Sequence, residues 1–315
     1  MSQKPIPDPA TRLDLTKKVI AGAKIPQAAP AGFDPLKATP EELKSYGLPP
    51  KPDAKTDPQR YARWSKHLSK TLTFIAPTFK IIEKDRDPRA KNQAEVASNA
   101  TSSNWSGVVL TDPTPAKQYT AIEGEWIIPN AYPNSSNTNG IYEVSVWVGI
   151  DGWGNGEVVQ TGTDSYVTDS GGKITSQGAF PWYEWYPAYA IEINNFAVHP
   201  GDTIWGYIDV ESATEAYAFL YNIGAGTYTS TTFPAPKGTS LIGGSAEWIV
   251  ENPDINNVET LFPDFGSTVF FDTYAYSGAW QNLSNGGTII TLDEGGNTLA
   301  EVIDETATSF IDIYV

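Results

Sequence analysis

The chain has 315 residues and is strongly acidic, because 37 Asp and Glu oppose 21 Lys and Arg for a formal charge of −16. This balance excludes a nucleic-acid-binding protein, which needs basic side chains to neutralise phosphates. The chain has no cysteine and only two histidines, His67 and His199, which excludes disulfides, Cys-ligated zinc and a multi-histidine metal site. We therefore expect no metal and no cofactor.

Aromatic and turn-forming residues are abundant, with 10 Trp, 16 Tyr, 12 Phe, 27 Gly and 24 Pro. This composition favours a turn-rich all-β protein over a helical bundle. Residues 1–30 lack the continuous apolar core of a signal peptide, and no run approaches the roughly 18 apolar residues that a membrane helix needs. We expect no membrane segment and no signal peptide in this chain.

Charge divides the chain near residue 100. Residues 1–100 carry a net charge of +7, whereas residues 101–315 carry −23 and contain only three cations, Lys117, Lys173 and Lys237. Such an abrupt change is typical of a boundary between two regions. We predict a basic region at 1–100 and an acidic domain at 101–315.

The basic region is rich in proline and predicts two helices. Thr39 followed by Pro40 and two glutamates is a helix start, and Gln59–Lys70 has apolar residues on one face. The polar stretch Asp85–Ser103 predicts an exposed linker that a protease could cut.

The acidic domain alternates in the manner of β-strands. Tyr142–Val148, Thr203–Val210 and Gly287–Leu292 are rich in β-branched and aromatic residues, and Gly, Asn, Asp and Ser clusters separate such runs. Many short strands without helical periodicity predict an antiparallel sandwich or barrel.

Isolated features carry little chemistry. His199 lies in a turn signature before a strand, so a turn residue is the favoured interpretation. The sequence Asp169-Ser-Gly occurs in aspartic proteases, but their chemistry needs two such loops and the chain has one copy. The spacing of Asp151, Asn155 and Glu157 could bind Ca²⁺, yet it lacks a full ligand loop and favours an acidic turn.

Two other function classes remain open on these residues. A glycoside hydrolase needs two carboxyl groups across the scissile bond, for which Glu184 and Glu247 are candidates. A non-catalytic module that binds glycans or peptides would keep the aromatic residues without any need for paired polar groups.

Four motifs in a fixed order are more informative than any single feature. They are WVGIDG (147–152), VQTGTD (159–164), WYEWYP (182–187) and SAEWIVE (245–251), and SNWSG (103–107) precedes them. Together they resemble the glutamic peptidases, or eqolisins (peptidase family G1), over about residues 102–275.

The resemblance implies a fold and a site. The fold is an antiparallel β-sandwich of two curved sheets, concanavalin-like, with a substrate groove on one face. The catalytic pair would be Gln160 and Glu247, and the residues lining or supporting the groove would be Trp147, Asp151, Asp164, Trp182, Glu184 and Tyr186.

The residues themselves suit that chemistry. Glu247 lies in a strand-like run, and a carboxylate with a reference pKa of about 4.3 can take and return a proton in mild acid. Gln160 offers a neutral amide donor for a developing oxyanion. We therefore predict an acid endopeptidase in which Glu247 activates a water and then protonates the leaving amine, without a covalent intermediate.

On this interpretation residues 1–100 are a propeptide that inhibits its own enzyme. We expect the segment Arg63–Lys70 to occupy the groove, although a helix that merely docks on the surface fits the pattern equally well. Cutting within Arg89–Ser103 in acid would release the mature enzyme. We expect a secreted monomer that acts on proteins and peptides.

The charge of the acidic domain makes a separate prediction. Carboxylates that repel one another have raised pKa values in the folded state, so stability is present in acid and is lost as the pH rises through those values. We expect the domain to be more stable in mild acid than at neutral pH.

Overall fold

The structure, a computed structural model, describes residues 6–84, 87–91, 93–96, 99–111, 118–134, 139–255, 258–259 and 261–315. Three α-helices lie in the N-terminal region: α1 (Pro9–Gly22), α2 (Pro40–Ser45) and α3 (Pro58–Leu68). Within the described ranges, none of them is long and apolar enough to cross a membrane.

Local signals account for two of these helices. At the start of α2, the backbone N–H of Glu42 donates to the Thr39 hydroxyl and the Thr39 N–H donates to the Glu42 carboxylate, which is the reciprocal cap predicted there. α3 begins one residue before the predicted range and ends two residues earlier. α1 was not predicted, since it lacks a clear amphipathic pattern; the Asp8 carboxylate caps it.

The rest of the chain is mostly strand. In chain order the strands are β1 (Thr73–Phe74), β2 (Phe79–Ile81), β3 (Ala94–Val96), β4 (Asn99–Ser102), β5 (Trp105–Thr111), β6 (Ala121–Ile127), β7 (Asn139–Ile150), β8 (Val159–Ser170), β9 (Ile174–Trp185), β10 (Ile191–Ile193), β11 (Thr203–Ser212), β12 (Glu215–Asn222), β13 (Thr227–Pro234), β14 (Ser245–Glu251), β15 (Asp254–Ile255), β16 (Val258–Glu259), β17 (Ser267–Tyr276), β18 (Trp280–Gln281), β19 (Thr288–Glu294), β20 (Asn297–Ile303) and β21 (Ser309–Tyr314). A short 3₁₀ helix spans Leu283–Asn285.

Nineteen of the described strands form one sheet, and β15 pairs with β16 apart from it. Sixteen of these strands follow one another in the hydrogen-bonded order β2-β10-β9-β8-β7-β14-β5-β19-β20-β21-β17-β6-β11-β12-β13-β1. In addition, β4 pairs with β19 and with β3, and β18 pairs with β17. The described pairs are antiparallel except β1 with β13 and β4 with β19. The all-β prediction is therefore confirmed in outline, and the sheet is mixed where a purely antiparallel one was expected.

Side-chain alternation places the core between two parts of this sheet. Strands β7 and β8 pack against β11, and β14 packs against β6 and β17. On β7, Val144, Val146 and Val148 point into the core, whereas Trp147 points away from it. Two outer faces result. The Trp147 face contains Trp105, Val109, Trp147, Trp182 and Ile249, and the Trp205 face contains Ala121, Trp205, Tyr207, Phe219 and Tyr221.

The basic region wraps around the sheet and adds strands to it. α3 packs on the Trp205 face through Trp64. β1 then pairs with β13 and β2 pairs with β10, so two strands only a few residues apart in sequence end the ladder on both sides. Residues 82–84 and 87–91, which we call the cover segment, continue onto the Trp147 face, where Ile82 and Ala90 join the aromatic cluster.

The prediction of an exposed linker at Asp85–Ser103 is wrong for part of that stretch. Arg89 and Ser102 are 2% and 0% exposed. The Asn104 side chain explains this burial, because its amide donates to the Arg89 carbonyl and its oxygen accepts from the Lys91 N–H. Residues 85, 86, 92, 97 and 98 of the stretch lie outside the described residues.

Candidate active site

One lateral row of the sheet brings the two predicted catalytic residues together. Glu247 on β14 pairs with Gly149 on β7, Gly149 pairs with Gln160 on β8, and Gln160 pairs with Glu184 on β9. Residues directly opposite one another point to the same side of a sheet, so all three side chains lie on the Trp147 face. At a strand spacing of about 4.8 Å, the backbones of Glu247 and Gln160 are about 10 Å apart.

Gly149 lies between these two residues. A Cβ atom at this position would lie 2.8 Å from Cζ3 of Trp147 and 3.2 Å from Cβ of Gln160. Carbon atoms do not approach so closely without displacing their neighbours. The position therefore requires glycine, because the Trp147 ring and the Gln160 side chain already occupy the space beside it.

The Gln160 amide is oriented by Glu184. Its Nε2 donates to Oε2 of Glu184 at 2.9 Å, and both side chains are fully buried. An amide nitrogen carries two hydrogens, so this bond leaves one for another acceptor. Oε1 of Gln160 has no hydrogen-bond partner among the described residues. The arrangement fixes the amide while keeping donor and acceptor capacity available.

Glu247 is a fully buried carboxyl group. Burial raises its pKa well above the usual value and the charge of Asp151 adds to the effect, while the polar groups of Ser245 and Trp153 act in the opposite direction. In the described part of the chain, neither carboxyl oxygen meets a partner in good hydrogen-bonding geometry. Glu247 is therefore held in its protonated form while the site is covered.

Asp151 binds backbone N–H groups. Its carboxylate accepts hydrogen bonds from the N–H groups of three successive residues before β14, at 2.7 to 2.9 Å, and from the Asn155 amide at 2.8 Å. It thereby ties the end of β7 to the start of β14, the strand that carries Glu247. The oxygen atoms of the supposed Ca²⁺ turn are used in this way, which agrees with an acidic turn.

Tryptophan rings pave the face beside the row. The Trp147 indole donates to Glu251 at 2.9 Å, and the Trp182 indole donates to Asp164 at 2.5 Å. The Trp147 ring also packs edge-on against Trp105, with centroids 5.0 Å apart. Buried carboxylates thus fix the orientation of both predicted groove tryptophans.

Residues of the basic region cover this site. Arg12 of α1 lies 3.8 Å from the Glu184 carboxylate, donates to the Pro187 carbonyl at 2.9 Å and stacks over Tyr189 at 4.4 Å. The predicted groove residue Tyr186 is buried, with the Arg12 guanidinium 5.6 Å from its ring. Sequence analysis did not find Arg12, because one arginine in a weakly patterned helix gives no signal.

The cover segment lies across the same face. Its Ala90 N–H donates to the Gly152 carbonyl at 3.3 Å, and its Pro88 carbonyl accepts from the Trp105 indole at 3.0 Å. At its other end, Lys84 forms an ion pair with Glu143 and lies 5.8 Å from the Phe180 ring. These contacts close the Trp147 face over the row.

Arg63–Lys70 does not occupy the groove, so that prediction is wrong. α3 lies on the Trp205 face, where Arg63 pairs with Glu123 and His67 with Glu125. The surface-docking interpretation describes its position. The charges of the segment could not decide between the two, since acidic residues border both faces.

The isolated candidates stay apart from the row. His199 is exposed in a turn, 3.6 Å from the Asp202 carboxylate. Asp169 ends β8 in a hairpin. The described residues contain no group of three or more His, Cys, Asp or Glu side chains that could hold a metal ion.

The positions of the two carboxylates argue against the glycosidase alternative. Glu184 and Glu247 are three strands apart in the row, so their backbones are about 14 Å apart at the usual strand spacing. Paired glycosidase carboxyls stand about 5 to 9.5 Å apart. In addition, Glu184 already accepts a hydrogen bond from Gln160, so it does not face Glu247 across a shared substrate position.

Comparison with known proteins identifies the family of this chain. The family model described as Peptidase A4 matches residues 103–311 and so includes the whole row. The chain belongs to the Peptidase A4 family. Aspergillopepsin-2 from Aspergillus niger is 32% identical over 216 residues, which is 64% of this chain and 73% of that protein.

Solved structures agree with the family assignment. Aspergilloglutamic peptidase from Aspergillus niger is 31% identical, with a TM-score of 0.50 over 55% of this chain and 99% of that one. A scytalido-glutamic peptidase structure with a transition-state analogue inhibitor shares the fold, with a TM-score of 0.56, 24% identity and coverage of 68% and 98%. This Peptidase A4 chain is accordingly a glutamic endopeptidase, as the motifs predicted.

The family match also separates the two regions of the chain. It begins at residue 103, so α1 to α3 and the cover segment lie outside it. Within it, sequence analysis missed Glu251 and Glu143. Glu251 could have been found, because it is four residues after Glu247 on the same strand and therefore on the same face.

Proposed function

We propose that Glu247 and Gln160 together hydrolyse peptide bonds in this Peptidase A4 enzyme. The observation that supports this most directly is the row itself. A buried carboxyl and a fixed amide lie on the same face of the sheet, on either side of Gly149, beside a wall of tryptophan rings.

The chemistry follows from the protonation states. Removal of the covering residues admits water to Glu247 and relieves the burial that raises its pKa, so that the carboxyl group ionises. Ionised Glu247 then takes a proton from a water molecule as the water oxygen bonds to the carbonyl carbon of the scissile peptide. The Gln160 N–H donates to the oxyanion that forms. Protonated Glu247 then gives its proton to the amide nitrogen as the carbon–nitrogen bond breaks, and a carboxylic acid and an amine leave.

The remaining predicted residues support this pair. Glu184 orients Gln160, and Asp151 sets the position of β14. Trp147 and Trp182 offer flat apolar walls to an extended peptide, with Glu251 and Asp164 holding their indoles.

We further propose that residues 1–100 keep the enzyme inactive until acid triggers self-processing. The contacts of Arg12 and of the cover segment support this, because they lie on the Trp147 face, where Gln160, Glu184 and Glu247 are fully buried. A net charge of +7 on the covering region against −23 on the rest favours this association at neutral pH.

We further propose a two-layer sandwich fold, a monomeric state and secretion. A core enclosed between β7, β8, β14 on one side and β6, β11, β17 on the other supports a two-layer concanavalin-like sandwich. Both members of the catalytic pair come from one chain, which supports a monomer. Secretion follows from the acid chemistry and from the resemblance to the eqolisins.

Glu247→Gln tests the proposal, with Glu301→Gln, a strand residue away from the row, as its matched control. Both full-length proteins are shifted from neutral pH to mild acid with a denatured protein substrate and an inhibitor of paired-aspartate proteases. Glu247→Gln is expected to lower the hydrolysis rate about a thousandfold or more, because the proton carrier is lost. The control should process itself and digest the substrate despite the inhibitor. Digestion by the Glu247 variant at the wild-type rate would refute the assignment and direct attention to a binding function.

A further inference from the structure

α3 binds the Trp205 face through a buried ionic network. Nε of Arg60 and a terminal nitrogen of Arg63 each lie 2.5 Å from a different oxygen of Glu123. Nε2 of His67 lies 2.8 Å from Oε1 of Glu125. All five side chains are at most 6% exposed, so the network is sealed from water.

Aromatic contacts surround this network. Trp64 is 1% exposed, and its indole N–H donates to the Pro49 carbonyl at 3.2 Å. The guanidinium of Arg60 lies 3.2 Å from the centre of the Trp280 ring, and that of Arg63 lies 4.8 Å from the Trp205 ring. Arginine combines a salt bridge with stacking on an aromatic ring, so a lysine at these positions would not serve equally.

This face is separate from the catalytic row. On β6, Ile122 and Trp126 point into the core, and Glu123 and Glu125 point to the opposite side. On β7, core residues likewise alternate with Gly149 and Trp147 of the catalytic row. The whole core therefore separates the α3 contacts from Glu247.

We propose that the Trp205 face is an anchoring site for a basic amphipathic helix, distinct from the active site, whose occupant is α3, and that α3 stays docked in mild acid after the cover segment has left. This inference rests on the proposed zymogen function. It means that the prosegment is held by one contact surface and inhibits through another.

The charges of the two surfaces respond differently to acid. Burial is the largest influence on Glu123 and raises its pKa, but Arg63 and Arg60 together outweigh it and leave the pKa below the usual value. A lowered pKa means that the stabilisation persists until the pH falls through that low value. The other titratable or charged groups facing Glu123 and Glu125 are His67, Asp272, Tyr207, Tyr221 and Tyr274.

The cover segment depends on a group with the opposite behaviour. Burial, together with the neighbouring Asp164, raises the pKa of Glu143 to about 8, although Lys84 acts against the rise. As the pH falls through about 8, Glu143 takes up a proton and the ion pair with Lys84 is lost. Further charged or titratable groups around the segment are Asp87, Arg89, Glu157 and Tyr186. In mild acid the cover segment is thus held without this ion pair, whereas the arginine pairs of α3 with Glu123 persist.

Hydrogen–deuterium exchange on full-length Glu247→Gln tests this without requiring any cleavage. After correction for the intrinsic effect of pH, peptides of the cover segment should exchange at least about tenfold faster in mild acid than at about pH 9, while α3 peptides change by less than about threefold. Equal or earlier loss of protection in α3 would overturn the proposal.

Variants of α3 identify the anchor. Arg63→Ala, in the Glu247→Gln background, should speed exchange in α3 about a hundredfold, because it leaves a buried carboxylate short of a partner. Lys66→Ala removes a charge from the exposed side of the same helix and should change nothing. Unchanged exchange in β7 and β8 shows that each variant is folded, and Arg60→Gln provides a milder replacement should Arg63→Ala fail that check. Equal effects of Arg63→Ala and Lys66→Ala would refute the anchor.

Acid processing of the wild-type protein gives an independent test of the anchor. After acid processing, the two fragments seen on a denaturing gel should elute together from a native size-exclusion column, and in the Arg63→Ala variant they should separate. Separation in wild type would overturn the proposal. A wild-type chain that is never cut in acid would instead refute self-processing, and the exchange measurements would still decide the anchor.

Discussion

The Trp147 face and the Trp205 face are built alike, yet they hold their buried carboxyl groups in opposite states. Both are aromatic outer faces of the sheet, and residues from the basic region cover both. On the Trp205 face, two guanidinium groups keep Glu123 ionised in spite of its burial. On the Trp147 face, Glu247 forms no ion pair within the described ranges, and burial favours its protonated form. Equal burial therefore gives an ionised carboxylate where counter-charges are supplied and a protonated carboxyl group where they are withheld.

After Glu247→Gln, the largest loss of hydrolysis rate should come from substitution of Gln160. Gln160→Ala removes the donor to the oxyanion and should lower the hydrolysis rate about 10²- to 10³-fold in mild acid, as loss of one such donor does elsewhere. Initial rates on a peptide substrate measure this. Gln177→Ala, an exposed glutamine on β9, is the control and should keep full activity. A fully active Gln160 variant would mean that the Trp147 face lacks a two-residue centre.

Gly149→Ala tests whether activity requires a glycine between Glu247 and Gln160. Its methyl group would meet the Trp147 ring at 2.8 Å and the Val159 carbonyl at 3.1 Å, so the ring and the Gln160 strand must shift. We expect activity to fall about tenfold or more and the free energy of unfolding to drop by about 1 to 3 kcal/mol.

The control for that change is Gly224→Ala, whose added Cβ would meet only the Asn222 side chain at 3.7 Å. Denaturant unfolding and initial rates of both variants give the answer. Equal rates in the two variants would show that the spacing across the row is not critical.

Asp312 extends the comparison to a third buried carboxyl. Burial raises its pKa to about 8, with the Ser106 hydroxyl acting against the rise and Glu301 adding to it. A raised folded-state pKa gives stability that is present in acid and is lost as the pH rises, by up to about 1.4 kcal/mol per pH unit between the unfolded value and about 8. Asp312→Asn should remove this slope from the melting temperature plotted against pH.

Asp304→Asn, an exposed aspartate, should keep the slope. Identical profiles for the two variants would show that Asp312 is not the group responsible. The same measurement on wild type tests the expectation that this acidic protein is more stable in mild acid than at neutral pH.

The smallest effect concerns the ion pair that fastens the cover segment. Lys84→Ala removes the partner of Glu143 and should speed hydrogen–deuterium exchange in the cover segment about threefold at about pH 9, with little change in mild acid, where Glu143 is protonated. Exchange in the full-length Glu247→Gln background measures it. Lys80→Ala, which removes a surface pair with Glu192, should leave this exchange unchanged. A similar acceleration in both variants would mean that only net charge matters.

Features that depend on nearby residues could be predicted from the sequence, whereas contacts between distant residues could not. The cap at Thr39 and the strand at Tyr142–Val148 depend on residues a few positions apart, and both were predicted. The ordered motifs gave Gln160 and Glu247, and the register of four strands then placed them in one row. The side on which α3 docks depends on Glu123, some 60 residues away, and its charges alone could not distinguish the two faces.

Tertiary contacts also explain the error at Asp85–Ser103. A polar stretch reads as exposed, but Asn104 and Trp105 supply hydrogen bonds to the backbone at Pro88 and Arg89 and bury that part of the chain. Arg12 was missed for the same reason, since its partners Glu184 and Pro187 are more than 170 residues further along the chain.

The ladder of strands ends at β13 on one side and at β10 on the other, and in the full chain residues 73–81 occupy both ends. β1 completes β13 and β2 completes β10, while the Asn195 side chain holds the short connection between them through the Ala76 carbonyl. Removal of residues 73–81 leaves two edge strands with unpaired N–H and C=O groups, which are ready templates for pairing with other chains. If these residues stay anchored after cleavage, as we propose, they continue to cover both edges and protect the enzyme from aggregation.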